Sequence, residues 1–477
     1  MGSVSIQVNH KSSTPIRTQI ANAYAESIKE GRLKPGTRLP SIRALATRLK
    51  VSPATIVAAY RELSDGGFAI ASPRSAFCVA GNQNAAPGIR ARLPLGRIEP
   101  DLRIHPVEEF MKTLGTLAAE DLSIGGYEDY RGFAALRELL ADMDRRDGIL
   151  SEPGNGMIIT SGAQQAIALA ARSFGAGSRI AVEDPCYPGA RVAFRNAGCE
   201  LVPVRTTNDG PDPEALKRIA SSGSVAAFYC CPTYGNPQGW TWSAEARLRV
   251  LEAAKAGGFA ILEDDYLGDL DYLGEKPKRL AAHAADFPGV RVIRIRTFSK
   301  CLLPALRLAE VAGNSEFIAK MLAQKVSDDI GSSAIMQRGL ARFIAEGRYD
   351  AHLVRVRPRY RAAREALRSA FSDRSIIGRD LRFDDPPAGL CLLGYLSEGI
   401  ELKRFAAECE KDGVSIGLGN EYWLDGWAGR GEGRAAGGDS FRIGFGSLSP
   451  EEVLRAAAVF RKAAARAKEN AVDYDLI

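Results

Sequence analysis

VRVIRIRTFSK, running from Val290 to Lys300, is the stretch on which the fold turns. Apolar Val292, Ile293 and Ile295 sit among arginines, which reads as a strand with Lys300 at its carboxyl end. A single lysine is ordinarily a solvated surface residue, so its meaning depends on its neighbours in the chain. Outward from it, GMIITSGAQQAIALAARSF (156–174) reads as strand, glycine turn and helix, and SRIAVEDPCYPGARVAFRNAG (178–198) repeats the scheme. VAAFYCCPTYGNPQG (225–239) and GFAILEDDYLGDL (258–270) read as buried strands that end in polar loops. Strands alternating with helices imply an α/β fold with a mainly parallel central sheet covered on both faces. Ligands of such sheets bind at the carboxyl ends of the strands, where Lys300 falls.

The 477 residues suggest two or three domains, and 45% hydrophobic with 25% charged residues is ordinary globular composition. No apolar run of about 20 residues is present, so no membrane span is expected. The start, MGSVSIQVNHKSSTP, lacks the apolar segment of a signal peptide. Eight cysteines without CxxC pairs read as free thiols in a cytoplasmic protein, with neither a disulfide framework nor a metal site. The net charge of +6 is uneven: residues 1–80 hold 11 basic and 4 acidic residues, +7, and the remainder 52 and 53, −1. A basic module on a neutral body points to nucleic acid.

In that module TPIRTQIANAYAESIKEG (14–31) spaces Ile16, Ile20, Tyr24 and Ile28 four apart, an amphipathic helix. KPGTRLPSIRALATRLKV (34–51) holds a turn and a short helix from about Ser41. SPATIVAAYRELSDGG (52–67) opens a third with Ser52 as N-cap and Pro53 first in the helix. FAIASPRSAFCVAG (68–81) reads as a hairpin. Three helices and a hairpin make a winged helix-turn-helix whose third helix would enter the major groove. GRLKPGTRLPSIRALATRLKVSPATIVAAYRELSDGG resembles the DNA-binding domain of the GntR family of bacterial regulators. The resemblance implies that Arg43, Ser52, Thr55 and the wing's Arg74 face a double-stranded operator. Pro53 and Ala76 depart from the family pattern, which has Arg and Gly there. Residues 1–80 are expected as this domain, 81–99 as a linker, and 100–477 as the large domain with a small C-terminal subdomain at about 356–470.

The unusual residues of the large domain each have an ordinary reading alone. Ser161 to Gln164 is a phosphate-binding helix start or a plain glycine turn, Tyr187 a stacking platform or core, Asn236 a turn residue, Asp264 a cap or solvated acid, and Arg307 and Arg442 surface arginines. In order, SGAQQA, EDPCY, GNPQG, EDDY, TFSK and LPALR are similar to the motifs of fold type I aminotransferases, which use pyridoxal 5'-phosphate. The resemblance covers about residues 100–470 and implies roles by position. Lys300 forms the Schiff base. Asp264 pairs with the pyridine nitrogen, with Asp265 as fallback. Tyr266 and Asn236 donate to the ring phenolate oxygen, and Tyr187 stacks on the ring. The Ala163 and Gln164 amides, Thr297 and Arg307 hold the phosphate. Tyr127, in GGYEDYRG, reaches a partner subunit's phosphate, which implies a homodimer. Arg442, in SFRIGFGS, grips a substrate carboxylate.

The whole chain resembles the MocR subfamily, in which a GntR-type head precedes an aminotransferase-like body. That resemblance implies a regulator that senses an amino acid or related amine by external aldimine formation. The alternative is a working aminotransferase with an accessory DNA-binding domain. The Gly-, Arg- and Trp-rich run 419–439 reads as a solvent loop or a lid.

Overall fold

The computed structural model describes residues 8, 14–29, 32–33, 37–65, 69–72, 76–79, 92–120, 122–274, 276–424 and 440–472. Two compact units meet in the chain between Arg92 and Leu93.

The first unit has helices Ile16–Lys29, Ile42–Leu49 and Pro53–Asp65, then antiparallel strands Ala69–Ser72 and Ala76–Val79. The four-residue spacing of the first helix puts Ile20 and Tyr24 in the core, with Ile16 and Ile28 packed at its margin. Ile56, Tyr60 and Leu45 complete that core. The second helix starts at Ile42 because the Ser41 hydroxyl accepts the Ala44 N–H at 3.3 Å. The third starts at Pro53, with the Ser52 hydroxyl accepting the Thr55 N–H at 3.1 Å. The hairpin register pairs Ala69 with Val79 and Ser72 with Ala76. Arg74 falls between these strands in the sequence, outside the described residues.

The large unit is built on an eight-stranded sheet. Its order is Met157–Thr160, Ala309–Ala312, Val292–Thr297, Ala260–Asp265, Val225–Cys230, Arg179–Asp184, Glu200–Thr207, Gly210–Pro211. The sheet is mainly parallel, with Ala309–Ala312 antiparallel to both neighbours and Gly210–Pro211 antiparallel at one edge. The arginines that punctuate the strand Val292–Thr297 follow from its two buried faces. Ile293 and Ile295 pack with Ala166 and Ile167 of the helix Ala163–Phe174. Arg294 and Arg296 point the other way, into a buried ionic cluster. Arg294 lies 2.9 Å from Glu310, Arg296 3.0 Å from Asp144, and Arg279 3.0 Å from Asp265. Asp269 joins through Arg279 at 3.4 Å and Arg296 at 3.6 Å. Burial and the adjacent Asp144 push the Glu310 carboxyl up to about 8. Asp144, Asp265, Asp269 and Glu310 thus surround the three buried guanidiniums.

A four-stranded antiparallel sheet, ordered Leu381–Phe383, Cys391–Leu396, Ser440–Gly444, Gly417–Leu418, forms the smaller layer. The 25-residue helix Arg348–Ser372 leads into it, starting before the expected residue 356.

Two expectations need correction. Residues 93–99, read as the end of a linker, are part of the large unit: Leu93 and Pro94 pair in parallel with Val414 and Ser415, and Leu93, Leu95 and Ile98 are buried. The run shows no clear strand or helix period: its buried Leu93, Leu95 and Ile98 are unevenly spaced, and its carbonyls make further contacts. The stretch from 419 does not begin as a solvent loop. Gly419–Glu421 forms a turn, Tyr422 and Leu424 are buried, and the Leu424 N–H donates to Asp184 at 3.0 Å. Residues 425–439 lie outside the described residues.

Candidate functional site

The carboxyl ends of the central strands open on one cavity of about 330 Å³. Lys300, Asp264, Tyr266, Tyr187 and Asn236 line it, and so do Ala163, Gln164, Thr297, Arg307 and Arg442. All of these residues but Arg442 end or follow strands of the eight-stranded sheet, and Arg442 comes from the strand Ser440–Gly444 of the four-stranded sheet.

One end of the cavity is built for an anion. Ala163 opens the helix Ala163–Phe174, and its N-cap, Gly162, offers no side-chain acceptor to the first amides. Such amides, with the helix dipole behind them, attract phosphate. Arg307 adds its guanidinium from the left-handed backbone position φ 50° and donates to the Ser161 carbonyl at 3.4 Å. Gly162, at φ 99°, leaves room for it: a Cβ there would lie 2.6 Å from Arg307 Nη2. The Thr297 hydroxyl sits at the foot of this cup, accepting the Ser299 N–H at 3.3 Å. Tyr187 is half-buried at the wall, its hydroxyl donating to Gln164 Oε1 at 3.1 Å.

Asp264 also lines the cavity, and strand alternation separates it from Asp265. Asp265 turns into the ionic cluster with Arg279, while Asp264 faces the cavity. The fallback assignment is therefore unnecessary on geometric grounds. Asp264 Oδ2 accepts the Tyr229 hydroxyl at 2.6 Å, and Oδ1, also buried, has no protein partner. Burial pushes this carboxyl up to about 6, against the pull of the Tyr229 hydrogen bond. A carboxylate with one oxygen held and the other unmatched fits a cationic N–H, the donor a pyridinium provides.

Tyr229 was not singled out in the sequence, because a tyrosine inside VAAFYC reads as core. Its role yields a pH-dependent expectation. Asp264 titrates above its ordinary value, so its ionisation weakens the cofactor-free fold as pH rises through about 6. The Tyr229 hydroxyl offsets that cost only when the carboxyl is ionised. Tyr229→Phe should destabilise the cofactor-free protein by about 1.5–3 kcal/mol at pH 8, the worth of a hydrogen bond to a charged group. The loss should shrink towards pH 5. Thermal melts at the two pH values check it, and a pH-independent difference would contradict the assignment.

Lys300 and Arg442 occupy the third side. Burial, together with Arg442 and Arg307, lowers the Lys300 proton affinity against the pull of Glu99, which favours the free amine needed for attack on a carbonyl. Its ammonium donates to the Ile98 carbonyl at 2.5 Å. Arg442 donates to Asn236 Oδ1 at 3.1 Å and to the Gly96 carbonyl, lies 5.0 Å from the Tyr422 ring centroid, and keeps a buried Nε without a partner. The Tyr266 hydroxyl donates to the Tyr234 carbonyl at 2.6 Å while the side chain lines the cavity.

Some expected residues lie elsewhere. Tyr127 is outside the cavity and 93% exposed. Arg43 and Ser52 are exposed on the first unit, and Thr55 is half-exposed with its hydroxyl 2.9 Å from that of Ser52. Backbone carbonyls at 96 and 98, like Tyr229, escaped the sequence reading: main-chain groups have no sequence signature.

The family model for aminotransferase class I and II matches residues 98–460, and that for bacterial regulatory proteins of the gntR family matches residues 16–79. The HTH-type transcriptional regulator TauR of Rhodobacter capsulatus is 30% identical over 76% of this chain and 80% of its own length. The solved kynurenine aminotransferase of Pyrococcus horikoshii aligns with TM-score 0.71 and 26% identity, over 79% of this chain and 91% of that one. LysN, the alpha-aminoadipate aminotransferase of Thermus thermophilus solved with N-(5'-phosphopyridoxyl)-L-leucine, aligns with TM-score 0.72 and 24% identity over 80% and 93%.

Proposed function

The chain belongs to the aminotransferase class I and II family and carries a gntR-family DNA-binding module, and from that premise we propose that it is a ligand-responsive transcription regulator of the MocR type, sensing an amino acid or related amine. Its cofactor is pyridoxal 5'-phosphate, which supplies an aldehyde that combines with amines and a ring that withdraws electrons when its nitrogen is protonated.

The residues divide the work. Lys300, its proton affinity lowered by burial, would supply the amine that combines with the aldehyde. Asp264 Oδ1 holds a proton on the ring nitrogen, and Tyr229 keeps the carboxylate in place. Arg307, Thr297 and the amides of Ala163 and Gln164 bind the phosphate, the guanidinium suiting a doubly bonded anion. Tyr187 packs on the ring, and Tyr266 and Asn236 serve its phenolate oxygen. Arg442 takes the carboxylate of the sensed compound. Such a ligand shifts DNA affinity by as much as it favours one state of the protein over another. The exposed Tyr127, with exposed Leu122 and Tyr130 near it in the chain, supports a homodimer in which Tyr127 reaches the partner's phosphate site. The site of action is cytoplasmic double-stranded DNA.

The observation that carries this reading is the joining of a gntR module to a complete amine-handling pocket in one chain. Titration of labelled operator DNA tests it. Arg43→Ala should weaken binding by about 1–3 kcal/mol if Arg43 reads a base, or lower the log–log salt slope by about 0.9 if it contacts a phosphate. The cofactor absorbance should not change, since Arg43 and the cavity belong to different units. An Arg43→Ala protein that binds with unaltered affinity and salt dependence would remove Arg43 from the DNA face.

The completeness of the pocket also favours a second reading, a turning-over aminotransferase. Production of keto acid over many turnovers by the purified protein would establish it.

A further inference from the structure

The chain enters the large unit at Leu93, and the seven residues that follow are anchored by their side chains and engaged through their carbonyls. Leu93, Leu95 and Ile98 are buried in the core. The Leu95 carbonyl accepts the Gly444 N–H at 2.7 Å, Gly96 accepts from the Arg442 guanidinium, and Ile98 accepts from Lys300 at 2.5 Å. Arg97, Ile98 and Glu99 line the cavity. The close approach depends on glycines. A Cβ at Gly444 would overlap the Arg97 carbonyl, and one at Gly96 would lie 3.0 Å from the Ile416 oxygen.

The donors of Arg442 decide what a ligand must displace. Nη1 serves Asn236, Nη2 serves the Gly96 carbonyl, and Nε is buried without a partner. A carboxylate is held best by two parallel N–H groups, and Nε with Nη2 forms that edge of a guanidinium. A bidentate carboxylate on this edge shares Nη2 with the Gly96 carbonyl, and the two negative oxygens on one nitrogen repel each other. That half-buried carbonyl is then held less firmly by its charged donor, a strain that the backbone relieves by moving.

We infer that Leu93–Glu99 is a strap that positions Arg442 and Lys300, and that a carboxylate on Arg442 releases it. The release loosens the chain at the point where the DNA-binding unit is joined to the large unit. This rests on the sensing function proposed above and adds the element that carries the signal. Gly96 and Ile98 are positioning residues, acting through Arg442 and Lys300.

Amide hydrogen exchange on the full-length protein reads the strap directly, because the Leu93 N–H donates to the Gly413 carbonyl and the Gly444 N–H to Leu95. The protein is loaded either with N-(5'-phosphopyridoxyl)-L-leucine, which presents a carboxylate, or with pyridoxamine 5'-phosphate, which does not. Both samples are also titrated onto an operator selected from random-sequence duplexes. The Leu93 and Gly444 amides should exchange about 5- to 150-fold faster with the leucine conjugate, the usual span of a coupling between sites, and DNA affinity should differ between the two samples. A DNA response with unaltered exchange at both amides would overturn the strap and leave sensing intact. Equal DNA affinity in both samples would overturn the sensing reading, and the strap's role with it. Gly444→Ala, and Gly96→Ala as a gentler variant, should give fast exchange and the conjugate-type DNA affinity with either ligand. A variant that still responds like wild type would also overturn the strap.

Discussion

Lys300→Ala should abolish the covalent link to pyridoxal phosphate and remove the response of DNA binding to amines, while operator binding without effector should stay near wild type. Lys300 is the one lysine lining the cavity among the described residues, at the end of the strand Val292–Thr297. Burial lowers its proton affinity, which favours the amine form over the ammonium. Alanine leaves the phosphate cup and Asp264 in place, and the cofactor still binds by contacts it makes without the lysine. The DNA-binding unit has its own core of Ile20, Leu45, Ile56 and Tyr60, which the substitution does not touch. Borohydride reduction of the wild type followed by peptide mapping should place the label on Lys300. Operator titrations with candidate amino acids should show a shift of about 5- to 150-fold in wild type and none in the variant. A label on another lysine, or an amine response surviving in Lys300→Ala, would refute the assignment.

Asp264→Asn should slow the exchange of amines at the cofactor by orders of magnitude. An amide has no negative charge with which to hold the ring nitrogen protonated. Removing one partner of a buried charge pair costs about 3–5 kcal/mol, which corresponds to roughly 10²–10⁴ in rate. Asp265→Asn provides the control. Asp265 pairs with Arg279 at 3.0 Å and Arg294 at 3.6 Å on the other face of the sheet. That substitution should lower thermal stability and leave the exchange rate nearly unchanged. Stopped-flow absorbance with both variants distinguishes them, and a larger rate effect from Asp265→Asn would reverse the roles of the two acids.

What the sequence revealed depended on where the information sat. The alternation of strands and helices and the apolar spacing at Ile20 and Tyr24 were legible because side chains carry that periodicity. The residues that meet in the cavity were legible because each stands in a short motif at a strand end. The order of Asp264 and Asp265 needed the register of Ala260–Asp265, since both belong to one acidic pair in the sequence. Tyr229 was hidden because its ring packs with the core while only its hydroxyl reaches Asp264. Residues 93–99 were hidden more completely. Their contacts to Arg442 and Lys300 run through carbonyls, and the Gly, Pro, Asn and Ala of 81–99, without periodicity, favoured a linker reading.

The ionic cluster beneath the sheet bears on how the large unit assembles. Its members come from distant parts of the chain: Arg294 and Asp144 are 150 residues apart, and Glu310 follows Arg294 by 16. No one segment can neutralise its own share. A chain that has formed the strand Val292–Thr297 without the helix bearing Asp144 must bury guanidiniums that lack their partners, at several kcal/mol per ion. Half-built versions of the central sheet are thereby penalised, and the cluster turns the middle of the domain into a single cooperative folding step. The same charges that add little net stability to the finished structure thus act on the path to it, by making its partial forms scarce.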